Sequence, residues 1–164
     1  MTTDPPKTLR DTDDEARHLV RQLLTTARIA ALAVTDPEHG GPYVSRIAFS
    51  VSPDGEFLTL ISDLSYHARA LKADPRAALL IGEPGAKGDP LTHPRLSLRA
   101  TTHVVPMGEE HARRREGWLQ LHPKAKLYVD FPDFRYLIFE IHGGHLNAGF
   151  GKAYALAKND LTVW

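Results

Sequence analysis

The chain has 164 residues, and its 20 lysine and arginine residues are balanced by 20 aspartate and glutamate residues. This length is enough for one domain with a core of its own. Because the sequence contains no cysteine, disulfides, thiolate metal sites and cysteine nucleophiles are excluded. The balanced charge predicts no nucleic-acid partner and no attraction to a membrane surface.

The sequence also bears on location and domain organisation. No apolar stretch approaches the roughly 20 residues of a membrane span, and the acidic, threonine-rich start lacks the regions of a secretory signal. These features predict a cytoplasmic protein. Residues 1–12, with two adjacent prolines, are predicted to form a flexible arm, and residues 13–164 a single domain.

Hydrophobic periodicity predicts the elements in chain order. Residues 13–27 follow a capping box at 12–15 and carry apolar residues at helical spacing, so they are predicted to form an amphipathic helix. Short apolar or alternating segments, separated by Gly- and Pro-rich turns, predict about six strands, at 29–35, 46–51, 57–61, 77–81, 95–105 and 136–141. Helices are predicted after Ser65, at 108–121 and within 125–131. With no βαβ rhythm, the pattern indicates a predominantly antiparallel β-barrel with flanking helices.

Two strands are predicted to carry a polar face. Arg46 alternates with Ile47, so it lies opposite the apolar face of its strand. In segment 95–105 the apolar residues Leu96, Leu98, Ala100, Thr102 and Val104 alternate with Arg95, Ser97, Arg99, Thr101 and His103. This regularity, and the edges of an open barrel, predict a homodimer across that face.

The segment after the third strand has the composition of an anion site. Ser62, Ser65, His67 and Arg69 surround a predicted helix start, where backbone N–H groups and the helix dipole favour a phosphate. The alternative interpretation is that the serines cap a surface helix and the arginine is solvated.

Other charged groups have simpler interpretations. His142 and His145 are either axial metal ligands or polar turn residues. Arg113, Arg114 and Arg115 are predicted to lie on the solvated face of a helix, because glutamates surround them.

Four ordered segments carry a resemblance to a known family. They are residues 60–76, residues 88–96, the Tyr-Val-Asp-Phe-Pro-Asp-Phe segment at 128–134 and the Gly-Phe-Gly-Lys-Ala segment at 149–153. Together they resemble the flavin-binding split barrel of the pyridoxamine 5'-phosphate oxidase-like superfamily, in its haem-utilisation (HugZ/HutZ-like) branch. The resemblance spans roughly residues 20–160 and rests on several motifs in order.

The resemblance implies an FMN site at a homodimer interface and a small planar substrate. The candidate cofactor-binding positions are Ser45, Arg46, Ser62, Asp63, Ser65, His67, Arg69, Phe150 and Lys152. The oxidase proper has an Arg-Lys pair where this chain has Tyr66 and His67, and no pocket for a second phosphate is evident. We therefore predict an FMN-dependent oxidoreductase and not an enzyme of vitamin B6 synthesis. The alternatives are a haem-binding or haem-degrading protein, and a catalytically silent cofactor carrier; the sequence identifies no catalytic residue.

Overall fold

In the computed structural model, which describes residues 9–163, eight antiparallel strands form one curled sheet with three α-helices around it. The helices are α1 (Asp14–Thr26), α2 (Tyr66–Ala73) and α3 (Glu109–Leu121). The strands are β1 (Ile29–Thr35), β2 (Pro42–Ala48), β3 (Ser50–Val51), β4 (Phe57–Ser62), β5 (Arg76–Ile81), β6 (Arg95–Val104), β7 (Phe134–Asn147) and β8 (Ala153–Leu156). Short 3₁₀ helices occupy Pro90–Thr92, Pro123–Leu127 and Lys158–Leu161. None of the helices within residues 9–163 is both long and apolar enough to cross a membrane.

The sheet has the order β2-β1-β5-β6-β7-β4-β3, and β8 also pairs with β7. The predicted antiparallel split barrel is therefore confirmed, whereas the prediction of about six strands is too low. The antiparallel registers define two ends of the sheet. At the α2 end lie Ser62, Arg76, Val104 and Phe134; at the opposite end, called the β7–β8 end, β7 turns into β8.

β8 was not predicted, and β7 continues to Asn147 although its predicted end is residue 141. The early predicted end of β7 is explained by two glycines in this strand. Gly143 has a positive φ of 143° and lies where the β6–β7 register shifts between Arg99 and Ala100. At Gly144 a Cβ would lie 2.2 Å from the carbonyl oxygen of Ser97, so the neighbouring backbone leaves no room for a side chain. The pair therefore marks a bulge inside a long strand and not a turn.

The apolar residues form two clusters. The main core lies between α1 and the inner face of the sheet, with Leu24, Leu32 and Leu96 fully buried. A second cluster lies under α3 and joins Trp118, Val129 and Tyr136 to β4 residues. In β6 the predicted alternation fails at its end, where Val104 is 65% exposed.

The arginine run on α3 corrects one prediction. Arg114 is buried, and its guanidinium lies 2.6 Å from Glu56 and 2.8 Å from Glu110. Arg113 and Arg115 are the more exposed neighbours, as predicted. Since a buried charge needs a partner, Glu56 is what allows Arg114 to face inward.

The start of α1 is fixed by Asp13, whose carboxylate accepts a hydrogen bond from the Ala16 N–H. Before it, Arg10 forms a bridge with Tyr154, and the Thr12 hydroxyl donates to the carbonyl of Ala155. Residues 9–12 of the predicted arm thus contact β8, while residues 1–8 of the arm lie outside the described residues.

Candidate functional site

The loop between β4 and α2 is shaped by Asp133. The Ser62 hydroxyl donates to the Asp133 carboxylate at 2.5 Å and accepts from the N–H of Leu64. The Asp63 N–H donates to the Asp133 carbonyl at 2.7 Å. Both hydrogen-bonding roles of the Ser62 hydroxyl are therefore used inside the protein, which makes this residue a loop-shaping one.

Ser65 caps α2. Its hydroxyl accepts from the Ala68 N–H at 3.2 Å and donates to the Ser62 carbonyl. The Arg69 N–H is bonded to the Ser65 carbonyl, so the N–H groups of Tyr66 and His67 are left as the donors of the first turn. The capping interpretation of Ser65 is correct, and it leaves two backbone donors at the helix start.

His67 meets Ser45 beside these donors. The His67 Nδ1 and the Ser45 Oγ are 3.0 Å apart, although 22 positions separate the two residues in the chain. Burial lowers the pKa of His67 below its usual value, which favours the neutral imidazole. When Nδ1 accepts from the Ser45 hydroxyl, Nε2 carries the proton and is a donor for a ligand.

The turn between β1 and β2 is attached to α2 by Tyr66. The Tyr66 hydroxyl donates to the Asp36 carboxylate at 2.6 Å, and this bond raises the pKa of Tyr66 to about 12 and lowers that of Asp36. The Tyr66 ring also packs on Tyr43, with ring centroids 4.8 Å apart. Tyr66 is therefore committed to holding the turn and not to a ligand.

Arg69 points away from His67. Two residues apart on an α-helix lie about 200° apart around its axis. The Arg69 guanidinium lies 5.0 Å from the centre of the Tyr66 ring and 3.5 Å from Glu38. Its side chain also lines a cleft of about 520 Å³ beside α2, together with Asp63.

The structure places the other predicted site residues elsewhere. Arg46 is exposed on the face of β2 opposite Ser45, next to Val44. Phe150, which is 76% exposed, and Lys152 lie in the β7–β8 connection, at the end of the sheet opposite α2. Of the nine predicted residues, the structure brings Ser45 and His67 together, and it places Ser62, Asp63, Ser65 and Arg69 around the same loop and helix.

The remaining histidines do not form a metal site among the described residues. His142 Nε2 lies 2.7 Å from the Thr101 hydroxyl, and His103 Nε2 lies 2.8 Å from Glu140. Within residues 9–163 no group of three or more His, Cys, Asp or Glu side chains is placed to hold a metal ion. The polar interpretation of His142 fits this geometry, in a strand and not in a turn.

Sequence reasoning missed several residues that build this region, above all Asp133, Asp36 and Lys72. Asp133 lies 71 positions from Ser62, so no local pattern pairs them. The resemblance of segment 128–134 to a family motif is the signal that could have led to Asp133.

Comparison with known proteins agrees with the geometry. The sequence profile of the pyridoxamine 5'-phosphate oxidase family matches residues 16–147. The non-canonical heme oxygenase HOZ, chloroplastic, of Arabidopsis thaliana is 30% identical over 147 residues, which is 84% of this chain and 43% of that protein. The chain thus spans less than half the length of this curated relative.

Solved structures share the fold. One shares 49% identity and a TM-score of 0.84, with coverage of 93% of this chain and 99% of the other. A heme binding protein from Mycobacterium smegmatis has 27% identity and a TM-score of 0.79, with coverage of 92% of this chain and 61% of the other. With a profile match over most of its length and this fold, the chain belongs to the pyridoxamine 5'-phosphate oxidase family.

Proposed function

We propose that this protein binds FMN as a homodimer and acts as a flavin-dependent oxidoreductase on a small planar substrate. The observation that carries the proposal is the pairing of Ser45 and His67 beside the start of α2. There, two backbone N–H groups and one imidazole converge in a family that includes a flavin oxidase.

The residues at this position fit a phosphate. Ser45 and His67 are half-buried, and the N–H groups of Tyr66 and His67 point out of the helix start. A helix N-terminus stabilises an anion through these donors and through its dipole. The neutral imidazole is a weaker ligand than a fixed cation, and a phosphate beside it would favour its protonation. His67 therefore takes the place that a lysine holds in the oxidase proper.

The single chain supplies only part of the predicted site. Phe150 and Lys152 lie at the β7–β8 end, whereas Ser45 and His67 lie near the α2 end. In the proposed dimer they complete the site of the other chain. Gly149 and Gly151, both with positive φ, allow the turn that presents Phe150 to a partner.

The face of the sheet that carries Arg46 is suited to be the dimer interface. Val44 is 62% exposed and Leu80 is 45% exposed, and both belong to the face that also carries Ala31 and Ala33. Ala31 lies beside Leu80 and Ala33 beside Val44, so small residues leave both large apolar side chains uncovered, and Arg46 lies next to Ala31 on the same face. Apolar faces of this kind mark protein interfaces.

A bound flavin would supply the hydride or electron transfer, and the chain would supply binding and orientation. In the proposed site His67, protonated when the phosphate binds, would donate from Nε2 to the phosphate, and its Nδ1–H would donate to the Ser45 hydroxyl. Asp133 keeps the β4–α2 loop in place through Ser62 and so orients the helix start.

Titration of the protein with FMN, followed by flavin fluorescence, tests the proposal. We expect a dissociation constant in the micromolar range or below, and weaker binding of riboflavin, which lacks the phosphate. Equal affinities for the two flavins would contradict a phosphate site at α2. The absence of any change at tens of micromolar FMN would contradict the flavin function as a whole.

Haem is the second candidate, because two relatives carry haem in their names, one as a heme oxygenase and one as a heme binding protein. Titration with haemin, followed by the Soret band, tests it on the same protein. A shifted Soret band without FMN binding would replace the flavin proposal by a haem-binding one. A protein that binds FMN but oxidises and reduces no substrate would be a cofactor carrier.

A further inference from the structure

The cleft beside α2 has features that the proposed FMN site does not use. It has a volume of about 520 Å³ and lies between α2 and the ends of β4, β6 and β7. This volume falls within the roughly 300–1,000 Å³ of small-molecule sites. Its residues belong to the inner side of the α2 end, away from the face proposed as the dimer interface.

The charges around the cleft are unbalanced. Arg69, Lys72 and Arg135 are the three cations, and Asp63 is the one acid. Arg135 lies 3.3 Å from Asp63 and also donates to the carbonyls of Pro132 and Phe134. Arg135 and Asp63 thus neutralise each other.

Two cations remain for a ligand. Lys72 makes no hydrogen bond or ion pair with any residue between 9 and 163. Arg69 has a long ion pair of 3.5 Å with Glu38 and lies over the Tyr66 ring, 5.0 Å from its centroid, but its side chain stays 57% exposed. Because they are three residues apart on α2, Lys72 and Arg69 share one side of the helix. An anionic group between them would replace solvent and the weak contact with Glu38.

The floor of the cleft is apolar. Ile61, Leu71 and Leu137 form it from below, and Val104 at the end of β6 is 65% exposed beside them. Val104 is the position at which the alternation of buried and exposed side chains in β6 fails. An apolar ligand body over Val104 would remove it from water, which is favourable in proportion to the apolar area buried.

We propose that this cleft binds an aliphatic carboxylate of medium chain length, with the carboxylate between Arg69 and Lys72 and the chain over Val104. Charge complementarity selects an anion, and the floor selects an apolar body. The inference stands apart from the FMN proposal, because His67 and Ser45 do not line the cleft.

Calorimetric titration with octanoate tests the inference. We expect octanoate to bind at least tenfold more tightly than octanol, which has the same chain without the charge. From hexanoate to decanoate the affinity should rise about threefold to fourfold for each added methylene. Equal binding of octanoate and octanol would overturn the proposal that Arg69 and Lys72 bind the carboxylate. An affinity that does not depend on chain length would overturn the proposal that the chain lies on the apolar floor.

Variants locate the binding site. Lys72→Ala should weaken octanoate binding about fivefold to tenfold, while Lys87→Ala, an exposed lysine of the β5–β6 loop, should leave it unchanged. Glu38→Gln should strengthen binding up to about fivefold, because it releases Arg69. Val104→Asp should abolish binding with an unchanged melting temperature, since the residue is exposed. Equal effects of Lys72→Ala and Lys87→Ala would overturn the proposal.

Competition separates this inference from the FMN proposal. Saturating FMN should leave the affinity for octanoate within twofold of its value without FMN. Mutual exclusion of the two ligands would overturn the inference, because the cleft would then belong to the cofactor site. Octanoate binding without FMN binding would contradict only the flavin function.

Discussion

His67 shows how one side chain in this protein depends on residues distant in sequence. Its ring is held by Ser45 from β2 and stands on a helix start that Ser65 caps. Burial lowers its pKa, so the ring is neutral near pH 7 and able to take up a proton when an anion binds. In the proposed site, phosphate binding would therefore be coupled to proton uptake at His67.

This coupling predicts the effect of His67→Ala. We expect FMN binding to weaken about tenfold and riboflavin binding to change little, because the phosphate contact is lost. The effect should shrink as the pH rises from about 6 to about 8, since fewer imidazolium ions form. Fluorescence titration at several pH values measures it.

Arg69→Ala is the matched control, because Arg69 lies on the other side of α2 and lines the cleft. The sequence analysis places Arg69 with His67 among the candidate phosphate ligands. A larger loss of FMN affinity for Arg69→Ala than for His67→Ala would indicate that Arg69 contacts the phosphate, and it would refute the role given to His67.

His122 predicts a pH dependence of stability. Burial, together with the nearby charge of Arg28, lowers its pKa to about 4, whereas the unfolded chain has the usual value of about 6.5. Because the unfolded chain then binds the proton more readily, the free energy of unfolding falls as the pH drops from about 6.5 to about 4.

We expect this loss to be about 1–3 kcal/mol and to be absent in His122→Gln, as measured by urea denaturation across the pH range. His18→Gln, at an exposed position of α1, is the control that should keep the wild-type pH dependence. An unchanged pH profile in His122→Gln would show that another group is responsible.

At the scale of elements, the long strand β7 organises the fold. It pairs with β4, β6 and β8. Its bulge at Gly143 shifts the register by one residue and allows pairing with β6 on both sides of Arg99. At Gly144 the backbone of β6 comes so close that a side chain has no place. Glycines usually weaken or interrupt strands, but here Gly143 and Gly144 allow β7 to continue past the bulge and past the close backbone of β6.

The glycines predict two opposite outcomes. Gly144→Ala should lower the free energy of unfolding by more than about 3 kcal/mol, because its Cβ would collide with backbone at 2.2 Å. Gly117→Ala, inside α3 with no atom within 4 Å of the added Cβ, should raise it by about 0.5–1 kcal/mol. Thermal or urea unfolding of both variants measures this, and equal stabilities would contradict the close approach at Gly144.

Much of the element order was predictable from local periodicity. Residues 14–26 carry helical spacing behind Asp13, and 29–35 and 57–61 carry apolar runs of strand length, so these elements were predicted nearly to the residue. The second half of β7 was not, because the need for glycine at 144 comes from the nearby backbone of β6 and not from the neighbours of Gly144 in the chain. The hydrogen bond between Ser62 and Asp133 could not be predicted from local patterns either, because 71 positions separate the two residues.

At the scale of the molecule, the two ends of the sheet carry different parts of the predicted site. The α2 end has Ser45 and His67 near it, and the β7–β8 end carries Phe150 and Lys152. Between them lies the face of the sheet on which Val44 and Leu80 are exposed. Pairing of two chains across this face would hide both residues from water.

This arrangement predicts a dimer that dissociates when one charged side chain is introduced at the interface. We expect light scattering to give twice the 18.2 kDa of one chain at micromolar concentration, and Leu80→Lys to give a monomer with weakened FMN binding. Leu127→Lys, at a residue 78% exposed in the 3₁₀ helix before β7, should remain dimeric. A monomeric wild-type protein would refute the proposed interface.

The pairing of β4 with β7 also has a consequence for the order of events during protein synthesis. Ser62 meets Asp133, and β4 meets β7, across about seventy intervening residues. The ribosome therefore releases Ser62 and the whole of α2 long before the strand and the aspartate that hold the β4–α2 loop in place exist. Contacts of such long sequence separation form late in folding. We therefore expect the proposed site to bind its ligand only once translation has passed β7.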